Sequence, residues 1–445
     1  MGLIIGLGDN KPKFPYDYYY GVKININTAD PALTRVGRAE LHKTLPVQSQ
    51  MRRCIIDDEG QVVRYLHPTD STKYDTGEAA DLTGATGQVM VEIPEHYRKF
   101  EFDGENITAL ISTYALPGFH KVRKIYVSAY EAAMDRTNSK LASVVNTTVQ
   151  YRGGTNKADY DGASNSLLGM PATNISLTNF RKYARNRGTA GLNGCGWNCY
   201  LYEAALDIFW LFVIEYATLN SQAAFTSELA SDGYRQGGLG DGVIGIDWSK
   251  WTTFNGNNPF IPCGTTNSLG NATGVVAFTM PTEYDSTATT AKVVNVPSYR
   301  GIENPFAHIW KWTDGVHYRI TSDDTEGVTE FYRAVDDNPA NFQDSNYNNY
   351  EKLGELSRSE GWIKRITLGE KGDIAPLEVG GSSTTYFCDY WWCSKPSSGE
   401  VLRGLLLGGG ANSGADCGLV VTYATYVPAS AGSYLGSRLC FIPAT

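Results

Sequence analysis

The chain has 445 residues and a net charge of -9, with 42% hydrophobic, 12% aromatic and only 19% charged residues. That aromatic content excludes disorder over most of the chain, because disordered segments lack the apolar groups needed to build a core. The negative charge argues against a generic nucleic-acid binder, which presents a basic face.

A prior of about 150 residues per domain gives two to three domains. The 47 Gly, 28 Tyr and 9 Trp favour a turn-rich, strand-rich architecture over a helical bundle. The segment Met1 to Gly8 is apolar but short, lacks a basic flank and runs at once into Asp9, Asn10 and Lys11, so it does not read as an export signal. The most apolar stretch, Ala204 to Ala217, is interrupted by Asp207. It is shorter than the roughly 20 residues of a membrane span. The expectation is assembly in a cytoplasm without membrane insertion, and free thiols at most of the 8 Cys.

In chain order, Lys23 to Asn27 alternates polar and apolar residues, as a strand does. Asp57 to Gly60 is a turn between Cys54–Ile56 and Gln61–Val63, which predicts a hairpin. Residues 70–87, rich in Asp, Thr and Gly, predict a linker or long loop. Residues 1–85 are therefore expected to form a small β-rich N-terminal region. Val89 to Ile93 predicts a strand ended by Pro94, Leu116 to Gly118 a turn, and Ile125 to Tyr130 another strand. Two helices are predicted. One covers Thr178 to Asn186, with Phe180, Tyr183 and Ala184 on one face. The other runs from about Trp197 to Leu219, its apolar residues Leu201, Ala205, Ile208, Phe209, Phe212, Val213 and Tyr216 at 3/4 spacing. Beyond residue 232 the chain predicts long ordered loops and short strands.

Motifs for chemistry are weak. Gly240, Gly242 and Gly245 match G-x-G-x-x-G but lack the preceding strand and following helix of a dinucleotide site, so they read as a glycine turn. His42, His67, His96, His120, His308 and His317 form no H-E-x-x-H pair. Cys195 and Cys199 read as small buried residues rather than a metal or redox pair. There is no G-x-S-x-G elbow and no distinctive acid pair. No catalytic residue, metal ligand or cofactor site is assigned. Trp310 and Trp312 predict a core strand with both indoles on one face, ended by a chain-reversing turn at Thr313 to Gly315. Nearby Asn and Asp residues are expected to accept from the indole N–H groups.

The stretch 381–445 has its own composition: six charged residues, nine aromatics, and 19 Gly plus Ser. Rigid aromatics with small polar residues are the mixture that paratopes use. A Gly-rich β core with aromatic packing would look the same.

Three segments carry a resemblance. Asn304-Pro-Phe-Ala-His-Ile-Trp-Lys-Trp312 resembles an N-x-x-G-N-V-W-E-W signature, with Ala307 and His308 in place of Gly and Asn. Val401 to Gly404 through Leu407 to Gly410 resembles an R-G-G strand, and Gly436 to Phe441 a closing G-F-R strand. These belong to the C-type-lectin-like fold shared by formylglycine-generating enzymes and the variable proteins of diversity-generating retroelements. Further segments, among them Gln88 to Pro94, Leu116 to Phe119, Pro171 to Ser176 and Glu215 to Gln222, are similar to phage and prophage receptor-binding proteins of gut bacteria. The resemblance implies an α+β fold, with a C-type-lectin-like ligand-binding domain over 86–445 after the 1–85 region, and 381–441 as the variable region. The N- and C-terminal strands of that domain should lie close together.

It also implies a function and a site. The expected function is a ligand-binding tail-tip protein or adhesin of the virion that recognises a bacterial surface molecule, protein or glycan, and contacts other tail components. Trimers, as in tail fibres, would fit. In such proteins the variable region is rewritten at template adenines. AAY codons can become Tyr, Ser, Asn, Asp, Cys, Ala and others, but never Trp. The positions that fit are Tyr390, Cys393, Ser394, Asn412, Ser413, Asp416, Cys417, Tyr423, Thr425 and Tyr426, expected as one exposed patch. Gly404, Gly408, Gly409, Gly410 and Gly436 would fix the backbone, with Arg403 and Arg438 buried or paired beneath. Tyr423 and Tyr426 should then be removable at surface cost. Two alternatives stand beside this: a structural virion or pilus subunit without a receptor, and an oxidase of the formylglycine-generating type. The oxidase needs a Cys pair after the R-G-G strand, whereas Cys388 and Cys393 precede Arg403.

Overall fold

Segments rich in β-branched and aromatic residues dominate the chain, and they form strands. The computed structural model describes residues 15–151, 153, 168–188, 196–242, 261–280, 292–323 and 326–444. Met1 to Gly8, Cys195 and Gly245 lie outside the described residues. Strand accounts for 39% of the structure and helix for 14%, so the mixture of helix and strand is weighted heavily toward strand.

Gln88–Ile93 is buried at every position. A strand buried on both faces belongs in the middle of a sheet. It lies at the centre of seven strands, in the order Gly196–Cys199, Leu439–Ile442, Ile125–Ser128, Gln88–Ile93, Arg52–Ile56, Val62–His67 and Asp70–Tyr74. The expected hairpin around Asp57 to Gly60 is present, with Ile55 opposite Arg64. A second sheet of five strands holds Thr34–Gly37, Tyr19–Asn25, Asn106–Ser112, His96–Phe102 and His120–Val122.

Two expectations are corrected here. Residues 70–87 are not all loop, because Asp70–Tyr74 pairs with Val62–His67. No boundary falls near residue 85 either. Arg52–Ile56 pairs along its whole length with Gln88–Ile93, and Tyr19–Asn25 with Asn106–Ser112. Strands before residue 85 therefore complete sheets begun after it, and neither set satisfies its backbone hydrogen bonds alone.

The helix Leu177–Arg185 starts where predicted. Ser176 caps it, its Oγ accepting from the Asn179 N–H at 3.3 Å. Arg181 then ties the helix to the strand Trp310–Thr321, donating to both oxygens of Asp314 at 2.6 and 2.8 Å. The second helix is shorter than predicted. It is Tyr202–Tyr216, and Trp197 belongs to the strand Gly196–Cys199, which pairs with Leu439–Ile442. Every residue of the helix except Glu203 is buried. It is a core rod buried on all sides, its two buried carboxylates Asp207 and Glu215 paired with Arg98 and Arg300, rather than a helix with one packed face.

A third sheet builds the C-terminal half. Its order is Tyr350–Glu355, Thr329–Ala334, Trp310–Thr321, Glu400–Leu407, Thr422–Ala424, Tyr390–Cys393, Gly361–Leu368 and Asp373–Val379, with Leu435–Gly436 added parallel to Trp310 and Lys311. The expected reversal at Thr313 to Gly315 does not occur. The strand runs straight on to Thr321, and Gly315, at φ 98°, sits in a bulge between Thr313 and Tyr318. Both indoles are buried on one face as expected, but the Trp312 Nε1 has no partner.

The segment before that strand is held in an unusual backbone. Asn304, Ala307 and His308 all have positive φ, at 47°, 63° and 64°. Left-handed backbone favours Gly and, next, Asn. Ala307 and His308 are the two positions at which the resembled signature has Gly and Asn. Beneath lies a buried polar layer. Lys311 Nζ donates to the Ala307 and Ile309 carbonyls, both at 3.0 Å, and pairs with Glu131 at 2.9 Å. Arg438 is fully buried, and its guanidinium donates to the carbonyls of Ser128, Glu303 and Asn304.

Candidate functional site

Alternation along two short strands decides which side chains reach the surface. In Tyr390–Cys393 the residues alternate half-buried and buried. Trp391 goes inward, its ring 5.6 Å from that of Tyr318 and its Nε1 donating to the Ser357 carbonyl at 3.0 Å. Tyr390 and Trp392 go outward. In Thr422–Ala424 only Tyr423 goes outward. The two strands are parallel, and Trp392 stands opposite Tyr423.

The outcome is a continuous stripe of rings. Trp362 lies 5.5 Å from Tyr390, and Tyr390 lies 4.3 Å from Trp392. Trp392 lies 6.3 Å from Tyr423, and Tyr423 lies 5.4 Å from Tyr426. Tyr434 closes the row, 6.4 Å from Tyr426 and joined to it by a 2.5 Å hydroxyl–hydroxyl hydrogen bond. All six rings are half-buried. Burial pushes the phenols of Tyr423 and Tyr426 up to about 12, so both remain protonated.

The predicted positions divide into three groups. Tyr390, Tyr423 and Tyr426 lie in the stripe. Thr425 joins them, hydrogen-bonded to the Tyr423 side chain. Asn412, Ser413 and Asp416 lie on a neighbouring turn. That turn approaches the stripe through Trp310, which sits against Gly410 and lies 5.0 Å from Tyr423. Of the predicted positions only Asn412 is exposed; Ser413, Asp416 and Ser394 are half-buried.

Cys393 and Cys417 are corrections. Cys393 is 7% exposed, because strand alternation points it inward beside Trp391. Cys417 is 0% exposed and its Sγ packs on Gly409, where φ is +81° and an added Cβ would lie 2.3 Å from the sulfur. Neither thiol can meet a ligand. Cys388 and Cys393 are both free, and burial pushes their thiols up to about 12 and 11.

Sequence reasoning missed Trp362, Trp392 and Tyr434. The period of two in Tyr390-Trp-Trp-Cys393 would have admitted Trp392 and removed Cys393. It also misplaced Arg403. That side chain is half-buried at the stripe, not in the frame with Arg438, and donates from Nη2 to the Ser394 carbonyl at 3.1 Å.

A sizeable cavity lies elsewhere. It measures about 820 Å³, is walled by Ile24, Phe100, Phe102, Leu377, Tyr386 and others, and contains none of the predicted site residues. Among the described residues no group of three or more His, Cys, Asp or Glu is placed to hold a metal ion, and no helix is long and apolar enough to cross a membrane.

No family model and no curated protein matches the chain. Among solved structures, PvdO from Pseudomonas aeruginosa is similar over 80% of this chain and 95% of its own, at 10% identity and a TM-score of 0.31. So low a score leaves fold and function to be argued from the chain's own residues.

Proposed function

We propose that this protein is a ligand-binding protein of the phage or prophage receptor-binding kind, with a C-type-lectin-like fold whose C-terminal surface is diversified through a retroelement. The observation that carries the reading is the stripe itself. Six half-buried rings run side by side across strand and loop positions of the C-terminal region, over a core that holds their backbones. Rings with large area and few rotamers, rimmed by Asn412, Ser413 and Thr425, are suited to surface complementarity rather than bond-making. Display in several copies on a tail would turn weak single-site binding into avidity.

The test is binding of fluorescently labelled protein to a panel of gut-bacterial cells, with Tyr390→Ala and Asn412→Arg variants alongside. Saturable binding to particular strains, lost in the variants, supports the reading. Absence of binding to any cell, with the stripe protected in a subunit contact, would favour the structural-subunit alternative. A reverse transcriptase gene nearby, with a near-copy of the 381–441 coding segment differing at adenines, would test the retroelement part.

A further inference from the structure

Arg403 is a cation without a carboxylate. Three well-buried arginines pair with carboxylates, Arg181 with Asp314 at 2.6 Å, Arg300 with Glu215 at 2.5 Å and Arg333 with Asp337 at 2.5 Å. The fully buried Arg53 and Arg438 have several neutral oxygen partners each instead. Arg403 has one bond, from Nη2 to the Ser394 carbonyl; its Nε is shielded from water and has no partner. No described carboxylate forms an ion pair with it. Its neighbour is the phenol of Tyr423, protonated and so neutral, in the middle of the stripe, and the next residue, Gly404, donates its N–H to the Tyr426 carbonyl at 3.0 Å. An unsatisfied buried donor costs about 1–3 kcal/mol, and a guanidinium's planar fork fits a carboxylate.

We infer that the stripe and Arg403 together form a subsite for an acidic glycan, sugar faces stacking on Tyr390, Trp392, Tyr423 and Tyr426 while Arg403 holds the carboxylate of a uronic or sialic acid residue. The inference rests on the ligand-binding reading above and names the ligand's chemistry. A sugar ring presents an apolar C–H face and a hydroxyl edge. The stripe presents ring surface together with a hydroxyl row, formed by the Tyr426–Tyr434 pair and the Tyr423–Thr425 contact. Its rings follow one another at 4.3 to 6.4 Å, which suits the successive units of an extended chain. A protein hot spot is instead anchored in a well-packed pocket, and the large cavity does not include these residues. Glu360 and Asp416 are felt at Tyr390, so that end takes a neutral, hydroxyl-rich unit and the Arg403 end takes the acid.

The probes are hyaluronan, polygalacturonate and polysialic acid, each with its carboxyl-reduced form, and dextran as the uncharged control. Binding is measured by calorimetry on the full chain. The expected result is saturable binding to at least one acidic polymer. Carboxyl reduction and Arg403→Gln should each weaken it by about tenfold or more, the loss of one charge-assisted contact. Arg403→Lys should restore part of it. Melting curves of the Arg403 variants show whether they fold, and carboxyl reduction reports the same contact on the unaltered protein. No binding to any of the three, or binding indifferent to carboxyl reduction, overturns the inference. Cell binding that survives periodate but is abolished by protease treatment of the cells identifies a protein receptor. That outcome overturns the glycan ligand while leaving the ligand-binding function standing. Absence of any cell binding is the separate failure of that function.

Discussion

Tyr423 lies between Trp392 on the surface and Trp310 beneath, with the Trp310 ring 5.0 Å away and only 7% exposed. The stripe is thus continuous with the core. The expectation that Tyr423 and Tyr426 can be removed at surface cost is not what this packing implies. Tyr423→Ala should destabilise by about 2 kcal/mol, roughly half the cost of emptying a fully buried aromatic site. Tyr426→Phe, which removes only the hydroxyl bonded to Tyr434, should cost about 1 kcal/mol or less. Urea unfolding of the two variants checks the order; equal midpoints for Tyr423→Ala and the parent would contradict it.

Ala307 should accept glycine. Its φ of 63° is unfavourable for an L-residue by roughly 1–2 kcal/mol, against about 0.5–1 kcal/mol of added backbone entropy for Gly. Ala307→Gly is expected to leave the melting temperature unchanged or raise it slightly. Ala307→Val, with a β-branched side chain in the same backbone, should lower it by several degrees. A glycine variant that melts well below the parent would show that the methyl group, rather than the backbone, matters there.

Stability should fall in mild acid. Burial holds the His42 imidazole down to about 4 and that of His96 to about 3. In the unfolded chain both titrate near 6.5. Between about pH 6.5 and 4 the unfolded state therefore takes up protons that the native state refuses. Stability is full above that window and declines through it by up to about 1.4 kcal/mol per pH unit for each histidine. Urea midpoints at pH 7.5, 6.0 and 5.0 should fall in that order. The slope should be shallower in His42→Gln, whose amide can still donate to the Val36 carbonyl.

The thiols should be inert until the protein unfolds. The seven described cysteines are free and buried, and burial raises those of Cys417 and Cys440 to about 12. A thiol reagent at pH 8 should leave these seven unlabelled in the native protein. In denaturant without reductant it should label all 8. Rapid native labelling of Cys388 or Cys393 would reopen the oxidase alternative.

Local pattern made part of this legible. The strand at Gln88–Ile93, the Cys54–Ile56 hairpin and the Ser176 cap are written in neighbouring residues. Sites fixed by distant partners were not. Trp197 follows a helical spacing, yet its segment pairs with Leu439–Ile442 because a buried backbone needs a neighbour. Arg403 and Arg438 look alike in sequence, but only Arg438 meets three buried carbonyls. Codon reasoning chose residue types able to vary, and strand alternation then turned Cys393 away from the surface.

The placement of Leu439–Ile442 between Gly196–Cys199 and Ile125–Ser128 bears on how the protein is made. Tyr126 waits for Phe441, so the seven-stranded sheet cannot close until residue 442 has left the ribosome. Such non-local pairing is slow and leaves strand edges open meanwhile. If 381–441 is diversified as proposed above, each altered sequence would be synthesised before that closing step. A substitution that hinders folding would be exposed to chaperones and proteases before it could be displayed, so synthesis itself would screen the repertoire.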